Sequence, residues 1–218
     1  MKRNILSLFV LAALSLTSCK KEASVDEAEA ATVASDAAVV YTVDTATSVI
    51  EWKGEKPGGA HTGTISLAGG TVSVANGAVE SGKFTIDMKS ITVTDLKAGD
   101  GKEDLEAHLK GTGEKEKEDH FFNTAKHPEA TFEITKVADA DGKTNVEGNL
   151  TLKGITKNVK FPATVSVDGA TVSISSEGFM IDRTQWGVNY ASKSIFDNLK
   201  DKFVNDEIEL KINVKATK

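Results

Sequence analysis

The sequence predicts an all-β protein, most simply an antiparallel barrel of about eight strands with few helices. Apolar and polar residues alternate with a period of two in about eight segments, as they do in strands with one buried face. Asn-Gly and Asp-Gly pairs join several of these segments, and such pairs favour tight turns between antiparallel strands. Large rings are scarce, with 9 Phe, 2 Tyr and 2 Trp among 218 residues, so aliphatic side chains must form most of the core. We expect one domain, because all-β barrels of this length are commonly a single unit.

Residues 1–18 have the pattern of an export signal. A short basic start precedes an apolar run from Ile5 to Leu16, which is too short to span a bilayer comfortably. The run ends at Leu16-Thr17-Ser18-Cys19, which resembles a bacterial lipobox, and Cys19 is the only cysteine. We therefore expect residues 1–18 to be removed and Cys19 to carry the acyl chains that anchor the protein to a membrane. The alternative is an ordinary cleaved signal followed by an incidental cysteine.

Charge and composition exclude some partners and indicate where the folded part begins. The formal net charge is −6, and loss of Lys2 and Arg3 would make it more negative, so nucleic acid is a poor partner. Residues 19–38 are rich in Ala, Glu and Asp without a periodic apolar face, which predicts a flexible acidic tether. The barrel domain should then occupy residues 39–218. We expect an exported, membrane-anchored lipoprotein on the periplasmic side or the cell surface of the outer membrane.

Strand patterns fill the first half of the domain. Residues 39–44 and 48–54 are strand-like, and the alternation resumes in the next strand, where His61 and Ile65 share the inward face. His61 is either a polar residue at the barrel rim or a contact to a ligand. Asn76-Gly77 then favours a hairpin, and the inward residues of its second arm are Phe84, Ile86 and Met88.

The middle of the chain predicts one short helix and a pair of adjacent rings. Asp100 and Glu103 have the spacing of a capping box, and Gly111 follows the last turn. The apolar stripe of the predicted helix is narrow, which suits a helix that covers a barrel mouth. Phe121 and Phe122 follow in non-strand sequence, and they either plug the barrel end as core or line a portal to a cavity. A weaker helical pattern covers residues 195–203.

The second half returns to strands. Phe132 and Ile134 are inward residues of one strand, and Asp141-Gly142 should turn the chain into a three-stranded meander over residues 145–176. The meander has inward residues Leu150, Leu152 and Phe161, with KGITKN as the first connection and Asp168-Gly169 as the second. Arg183 follows between apolar neighbours, where it either ties down loop carbonyls and Asp182 or contacts the polar head of a ligand.

The residues carry little sign of catalysis. The four histidines lie in four different segments, and none forms an HxH, HxxxH or HExxH pair with another. No GxSxG elbow occurs, and the only cysteine is assigned to the anchor. We therefore expect no metal and no cofactor.

The order of several segments resembles a known family. These segments are HTG, FTIDMKSITVTDL, LEAHLKG, DHFFNTAKHPEATFEIT, GNLTLKGITKNVKFPA, FMIDRTQWGVNY and DEIELKINVKA. Over about residues 41–217 they are similar to the YceI-like family, whose members are often called polyisoprenoid-binding or lipid-binding proteins. The resemblance implies an extended, lipocalin-like antiparallel barrel with a helix near one end. It also implies an internal apolar channel for a long-chain amphiphile such as a polyisoprenoid, a quinone or a fatty amide.

On this basis we expect a binding module that sequesters or transports a lipid, and not an enzyme. The lipid chain should lie among inward-facing apolar residues, namely Ile65, Phe84, Ile86, Met88, Phe132, Ile134, Leu150, Leu152, Phe161 and Met180. Its head group should lie near His61, Phe121, Phe122 or Arg183. The main alternative is a lipoprotein with a packed barrel that acts as a protein-interaction module, and an enzyme acting on a sequestered lipid is a third. Both a monomer and a homodimer fit the sequence.

Overall fold

The computed structural model describes residues 21–140 and 143–218. The predicted signal peptide, Cys19 and the predicted Asp141-Gly142 turn lie outside the described residues. The strands of this part of the chain are β1 (Lys21–Glu22), β2 (Ser24–Glu27), β3 (Val39–Val43), β4 (Val49–Lys56), β5 (Gly59–Ala75), β6 (Ala78–Asp87), β7 (Thr92–Val93), β8 (Glu129–Ala140), β9 (Lys143–Leu152), β10 (Ile155–Asp168), β11 (Thr171–Ser175), β12 (Phe179–Asp182) and β13 (Glu207–Thr217). The α-helix α1 is Lys102–Lys110, and short 3₁₀ turns occupy Met88–Ser90, Lys115–Lys117, Arg183–Trp186 and Lys200–Lys202.

Interstrand pairing closes eight of these strands into a ring. From β13 the ring passes to β11 and continues through β10, β9, β8, β6 and β5 to β3, which pairs again with β13. β4 also pairs with both β5 and β13. It therefore lies between the same two strands as β3, but further along them. The predicted antiparallel barrel of about eight strands is therefore confirmed, with one parallel pair, β1 with β12.

The core follows the alternation that the sequence predicts. Val159 and Phe161 of β10 are buried, as are Val172 and Ile174 of β11. The intervening residues of these strands are half-buried or exposed. Each strand therefore contributes one apolar row to the interior of the barrel, and burial of these rows is the main favourable term in folding.

The hairpin between β9 and β10 is tighter than predicted. The segment KGITKN was expected to form the connection, but only Lys153 and Gly154 form the turn, and β10 begins at Ile155. Both turn residues have positive φ, 50° at Lys153 and 79° at Gly154. A two-residue turn of this kind matches the twist of the flanking strands, so the residues after it pair with β9 at once.

The acidic segment before residue 39 is not the free tether that the sequence predicts. β1 pairs with β12 and β2 pairs with β10, so residues 21–27 are part of the sheet. The chain then crosses the outside of the barrel, where the backbone N–H of Thr32 donates to the carbonyl of Ile134 and Ser35 contacts the Glu80 carboxylate. The composition misled the prediction because an edge strand needs only backbone hydrogen bonds and does not require an apolar face.

Helix α1 lies at one end of the barrel, as predicted, but its first turn is capped differently. Gly101 is the N-cap residue, and no side chain caps the first turn from that position. Glu103 instead accepts a hydrogen bond from the backbone N–H of Gly99. Gly111 ends the helix in the left-handed conformation with φ 71°, as expected of a C-terminal glycine. The weaker pattern at 195–203 yields only the 3₁₀ turn Lys200–Lys202.

Replacement of Gly148 by alanine should destabilise the barrel by about 1–3 kcal/mol. A Cβ there would overlap the Phe132 ring and lie 2.7 Å from the Glu133 carbonyl oxygen, so the inner row has no room for it. Gly69→Ala is the matched control, because no atom lies within 4 Å of a Cβ at Gly69; its effect should stay within about 0.5 kcal/mol. Urea unfolding measures both, and equal midpoints for the two variants would contradict this account.

Candidate functional site

The barrel contains an inner cavity with an entirely apolar wall. Its volume is about 80 Å³. The lining residues are Ile50, Leu67, Phe84, Ile86, Phe132, Ile134, Val146, Leu150, Val159, Phe161, Ile174, Phe179, Ile181, Leu210, Ile212 and Val214. No hydrogen-bonding side chain is among them, so this cavity offers only dispersion contacts and removal of apolar surface from water.

A row of four phenylalanines crosses the interior at this level. Phe84 and Phe132 have ring centroids 6.3 Å apart, and Phe132 and Phe161 are 5.9 Å apart. Phe161 and Phe179 stack with centroids 4.5 Å apart and planes 3° from parallel. These rings come from β6, β8, β10 and β12, and they form one continuous side of the inner cavity.

An outer cavity of about 490 Å³ lies towards the end of the barrel that carries α1. Its wall mixes aliphatic, aromatic and charged residues. They are Trp52, Gly54, Glu55, Lys56, Pro57, His61, Ile65, Ile91, Leu105, His108, Leu109, Phe121, Phe122, Arg183, Val188, Tyr190, Asp201, Lys202, Val204, Ile208 and Leu210. This volume is within the range of about 300–1,000 Å³ typical of small-molecule pockets.

The two cavities meet at Leu210, which lines both. On the same face of β13, Ile208 lines the outer cavity and Ile212 lines the inner one. On β4, Trp52 lines the outer cavity and Ile50 lines the inner one. The interior therefore becomes less polar with depth, and the two cavities adjoin along the faces of single strands.

Most residues predicted to surround a lipid chain line these cavities. Those on the inner wall are Phe84, Ile86, Phe132, Ile134, Leu150 and Phe161, and Ile65 is on the outer wall. Met88 and Leu152 are buried but line neither cavity. The assignment of Met180 is wrong, because Met180 is a half-exposed residue between the buried Phe179 and Ile181. The strand phase changes before β12, so the inward positions are 179 and 181.

The four residues predicted near a head group all line the outer cavity, but their environments differ. The side chain of Phe121 is buried, whereas Phe122 is half-buried. Both rings face the cavity while packing against the core, so the plug and portal interpretations of these rings are compatible. His61 Nδ1 lies 2.8 Å from Asp95 Oδ2. Burial works against ionisation of Asp95, but hydrogen bonds from the Thr62 N–H and from His61 hold its pKa below the usual value.

The side chain of Arg183 is 2% exposed and is committed to the protein. Its guanidinium donates hydrogen bonds to the backbone carbonyls of Asn205, Val188, Tyr190 and Val204. These bonds occupy most of its five donors, which favours the interpretation that Arg183 ties down loop carbonyls.

The carboxylate beside this guanidinium is not the predicted one. Asp206 approaches Arg183 at 3.6 Å. Asp182 instead accepts hydrogen bonds from the backbone N–H and the hydroxyl of Thr184, at the start of a 3₁₀ turn.

The fold brings together two histidines that appear unrelated in the sequence. His108 Nε2 on α1 lies 2.9 Å from His120 Nδ1, so one ring donates to the other. Tyr190 stacks on His120 with centroids 4.3 Å apart, and Phe121 meets His108 edge-on at 5.1 Å. His108 and Tyr190 were not predicted from the sequence as cavity residues, although His108 shares the cavity-facing side of α1 with Leu105 and Leu109. Burial, the neighbouring His120 and the Lys117 charge lower the pKa of His108.

Other chemistry is sparse in the part of the chain that the structure describes. No three His, Cys, Asp or Glu side chains among residues 21–140 and 143–218 are arranged to hold a metal ion. Within the same residues no helix has both the length and the apolar character needed to cross a bilayer.

A family model described as the YceI-like domain matches residues 41–216. The chain belongs to the YceI-like family. Protein YceI of Escherichia coli O157:H7 is 32% identical over 89 residues, which are 38% of this chain and 43% of that protein. A UPF0312 protein of Pectobacterium carotovorum is 33% identical over 89 residues, with the same two shares. The chain thus spans less than half the length of these curated relatives.

Two solved structures share the fold of this chain. BcnA of Burkholderia cenocepacia is 26% identical, with a TM-score of 0.59 over 80% of this chain and 99% of that one. A polyisoprenoid-binding domain from Saccharophagus degradans, implicated in plant cell wall breakdown, is 12% identical with a TM-score of 0.53, over 81% of this chain and 97% of that one. At this identity the second likeness concerns the fold alone. Family membership and the lipocalin-like barrel are therefore confirmed.

Acidification should destabilise the fold through His108. Because the pKa of His108 is held below its ordinary value of 6.5, the unfolded chain takes up this proton first as the pH falls. The free energy of unfolding should begin to decline as the pH falls through about 6.5, the ordinary pKa of a histidine. His108→Gln should show a shallower decline, with a remainder from His127, whose pKa burial and Lys126 also lower. Urea unfolding at a series of pH values tests this, and an unchanged slope in the variant would contradict it.

Proposed function

We propose that this protein binds a long-chain amphiphile such as a polyisoprenoid, a quinone or a fatty amide, and sequesters or carries it away from a membrane. The observation that carries the proposal is the change in polarity from the outer cavity to the adjoining inner one. The outer cavity has rings and charged groups, while the inner cavity is bounded by apolar side chains alone. A molecule with a polar head and a hydrocarbon tail matches this order.

Burial of the hydrocarbon supplies the binding energy in this proposal. Each methylene removed from water contributes about 0.8 kcal/mol, so a long tail is held without a strong polar contact. The inner cavity is smaller than the tail of a long lipid, at about 80 Å³. The end of the tail would therefore occupy the inner cavity, and most of the ligand would lie in the outer one. Selectivity by such a wall is loose, because dispersion contacts do not distinguish similar tails.

The head group would lie among the rings at the mouth. His108, His120, Phe121 and Tyr190 form one contiguous aromatic cluster there. Aromatic faces and imidazole nitrogens accommodate a flat or weakly polar head. Arg183 is unsuited to bind an anionic head, because its donors are already used by loop carbonyls. Its role in this proposal is to hold the loop that carries Tyr190.

The family relationship supports a binding protein and not an enzyme. The domain from Saccharophagus degradans is called polyisoprenoid-binding, and we extend that class of ligand to this chain as a proposal. We also propose that the protein is an exported lipoprotein, anchored through acylated Cys19 on the periplasmic side or the surface of the outer membrane. The lipobox-like sequence before Cys19 supports this anchor.

Leu150→Phe should displace the lipid and leave the protein folded. Leu150 is half-buried and lines the inner cavity, so a larger ring there occupies the space of the tail. Met180→Phe is the matched control, because Met180 lines neither cavity. The measurement is organic extraction of each protein from its native host, followed by mass spectrometry. The parent and Met180→Phe should release a stoichiometric lipid and Leu150→Phe much less.

Two results would oppose this assignment. A parent protein that is empty and also refuses added prenyl lipids would rule out lipid binding. A Leu150→Phe protein that keeps its lipid but loses stability would show that the interior is a packed core, and the packed-barrel alternative would then be favoured.

Cys19→Ala should release the protein from membranes. Loss of the sulfur removes the acyl chains that provide stable anchoring. Ser18→Ala is the control, since a small residue before the cysteine is preserved. Fractionation and detergent-phase partitioning should place the parent and Ser18→Ala with membranes and Cys19→Ala in the soluble fraction. A Cys19→Ala protein that still sediments with membranes would exclude this anchor.

A further inference from the structure

One section of the barrel wall consists only of the short strands β1 and β2. On one edge of β10, Lys157–Lys160 pair with β2, and Thr164–Asp168 pair with β11. β12 pairs with β13 on one edge and with β1 on the other. No pairing joins β10 directly to β12 within the described ranges. Residues 21–27 therefore fill a slot between β10 and β12.

The inner cavity lies directly behind this slot. Phe161 of β10 and Phe179 of β12 stack on each other, so their rings bridge the slot from the inside. Both rings, together with Val159 and Ile181 of the same two strands, line the inner cavity. If residues 21–27 left the slot, only these two rings would separate the inner cavity from the exterior.

The segment in the slot is held weakly. Ala23 and Val25 are its apolar contributions to the core, and each is only half-buried. Glu27 pairs with Lys157 at 2.6 Å, but its side chain is 88% exposed, and surface ion pairs contribute little. By contrast, β9 pairs with β10 all along Ile155–Ala163. Local opening of residues 21–27 should therefore cost less free energy than separation of β9 from β10.

The chain after the slot is fastened separately. Asn149 on β9 accepts a hydrogen bond from the Glu29 N–H and donates one to the Glu29 carbonyl. The Thr32 N–H donates to the Ile134 carbonyl. These contacts keep residues 29–35 on the barrel, so residues 21–27 can leave by rotation about Ala28 while the rest stays in place.

We infer that the β10–β12 slot is a lateral entrance to the inner cavity and that residues 21–27 are the strand that closes it. This inference rests on the proposed function. The tail of a lipid enters between Phe161 and Phe179 when the segment leaves, without first passing through the outer cavity. The segment begins two residues after Cys19, so an acyl anchor at that cysteine would hold the entrance against the bilayer that supplies the lipid.

A reversible cross-link tests the entrance. Ser24 and Lys160 are directly opposed on β2 and β10, so Ser24→Cys with Lys160→Cys should form a disulfide that locks the segment. The full chain also carries Cys19→Ser, which makes the engineered cysteines the only thiols. The probe is an NBD-labelled prenyl alcohol in phosphatidylcholine vesicles, and its fluorescence reports transfer to the protein. Oxidation should slow transfer by about tenfold or more, because the disulfide blocks local opening of residues 21–27. A reductant should restore the rate.

The matched control is Ser173→Cys with Lys215→Cys. It places the same residue types opposite each other on β11 and β13, away from the slot. Its oxidation should leave the transfer rate unchanged. Equal rates for the oxidised and reduced slot pair, with normal binding at equilibrium, would overturn the lateral entrance and leave the proposed function intact. Absence of probe binding in the parent and in every reduced variant would instead overturn the proposed function, and the entrance with it.

Discussion

The interior of this protein depends on closure of the sheet by backbone hydrogen bonds. In a ring of paired strands every second side chain points to the axis, so eight apolar rows must share one small space. An eight-stranded barrel can either fill that space or enclose a ligand. Both outcomes occur here at different depths. Large rings such as Phe132 nearly fill the inner level, and the glycine at position 148 leaves room for that ring. The level near α1 remains open.

The polarity of the open level follows from the elements that surround it. Strand residues such as Ile208 contribute aliphatic surface, and α1 and the loop after β12 contribute imidazole, phenol and charged groups. The adjoining ends of β4 and β5 add Glu55, Lys56 and His61. That loop has no regular pairing of its own, and its carbonyls would be costly to bury without donors. Arg183 supplies those donors from within the wall. A single buried guanidinium thus shapes the mouth, and its own burial is compensated by the same bonds.

The amino-terminal segment links the barrel wall to the chain that precedes it. Because residues 21–27 complete the wall between β10 and β12, the predicted tether is shorter than its composition indicates. The segment adds strands by backbone pairing, which is insensitive to side-chain type. Its exposed acidic residues therefore do not prevent it from forming part of the sheet.

Local pattern determined much of this structure. The alternation of residues such as Phe84, Ile86 and Phe132, the hairpin signals and the Gly111 helix end are readable because they depend on neighbours in the chain. Much of the inner wall was therefore predictable, but Met180 points outside, and Met88 and Leu152 line neither cavity. Only the tertiary structure decided the pairing of His108 with His120, the carbonyl partners of Arg183 and the position of residues 21–27. Residues 21–27 pair with strands distant in the chain, whereas His108 meets His120 and Arg183 meets its carbonyls because loops fold back onto nearby residues. No local pattern encodes either geometry.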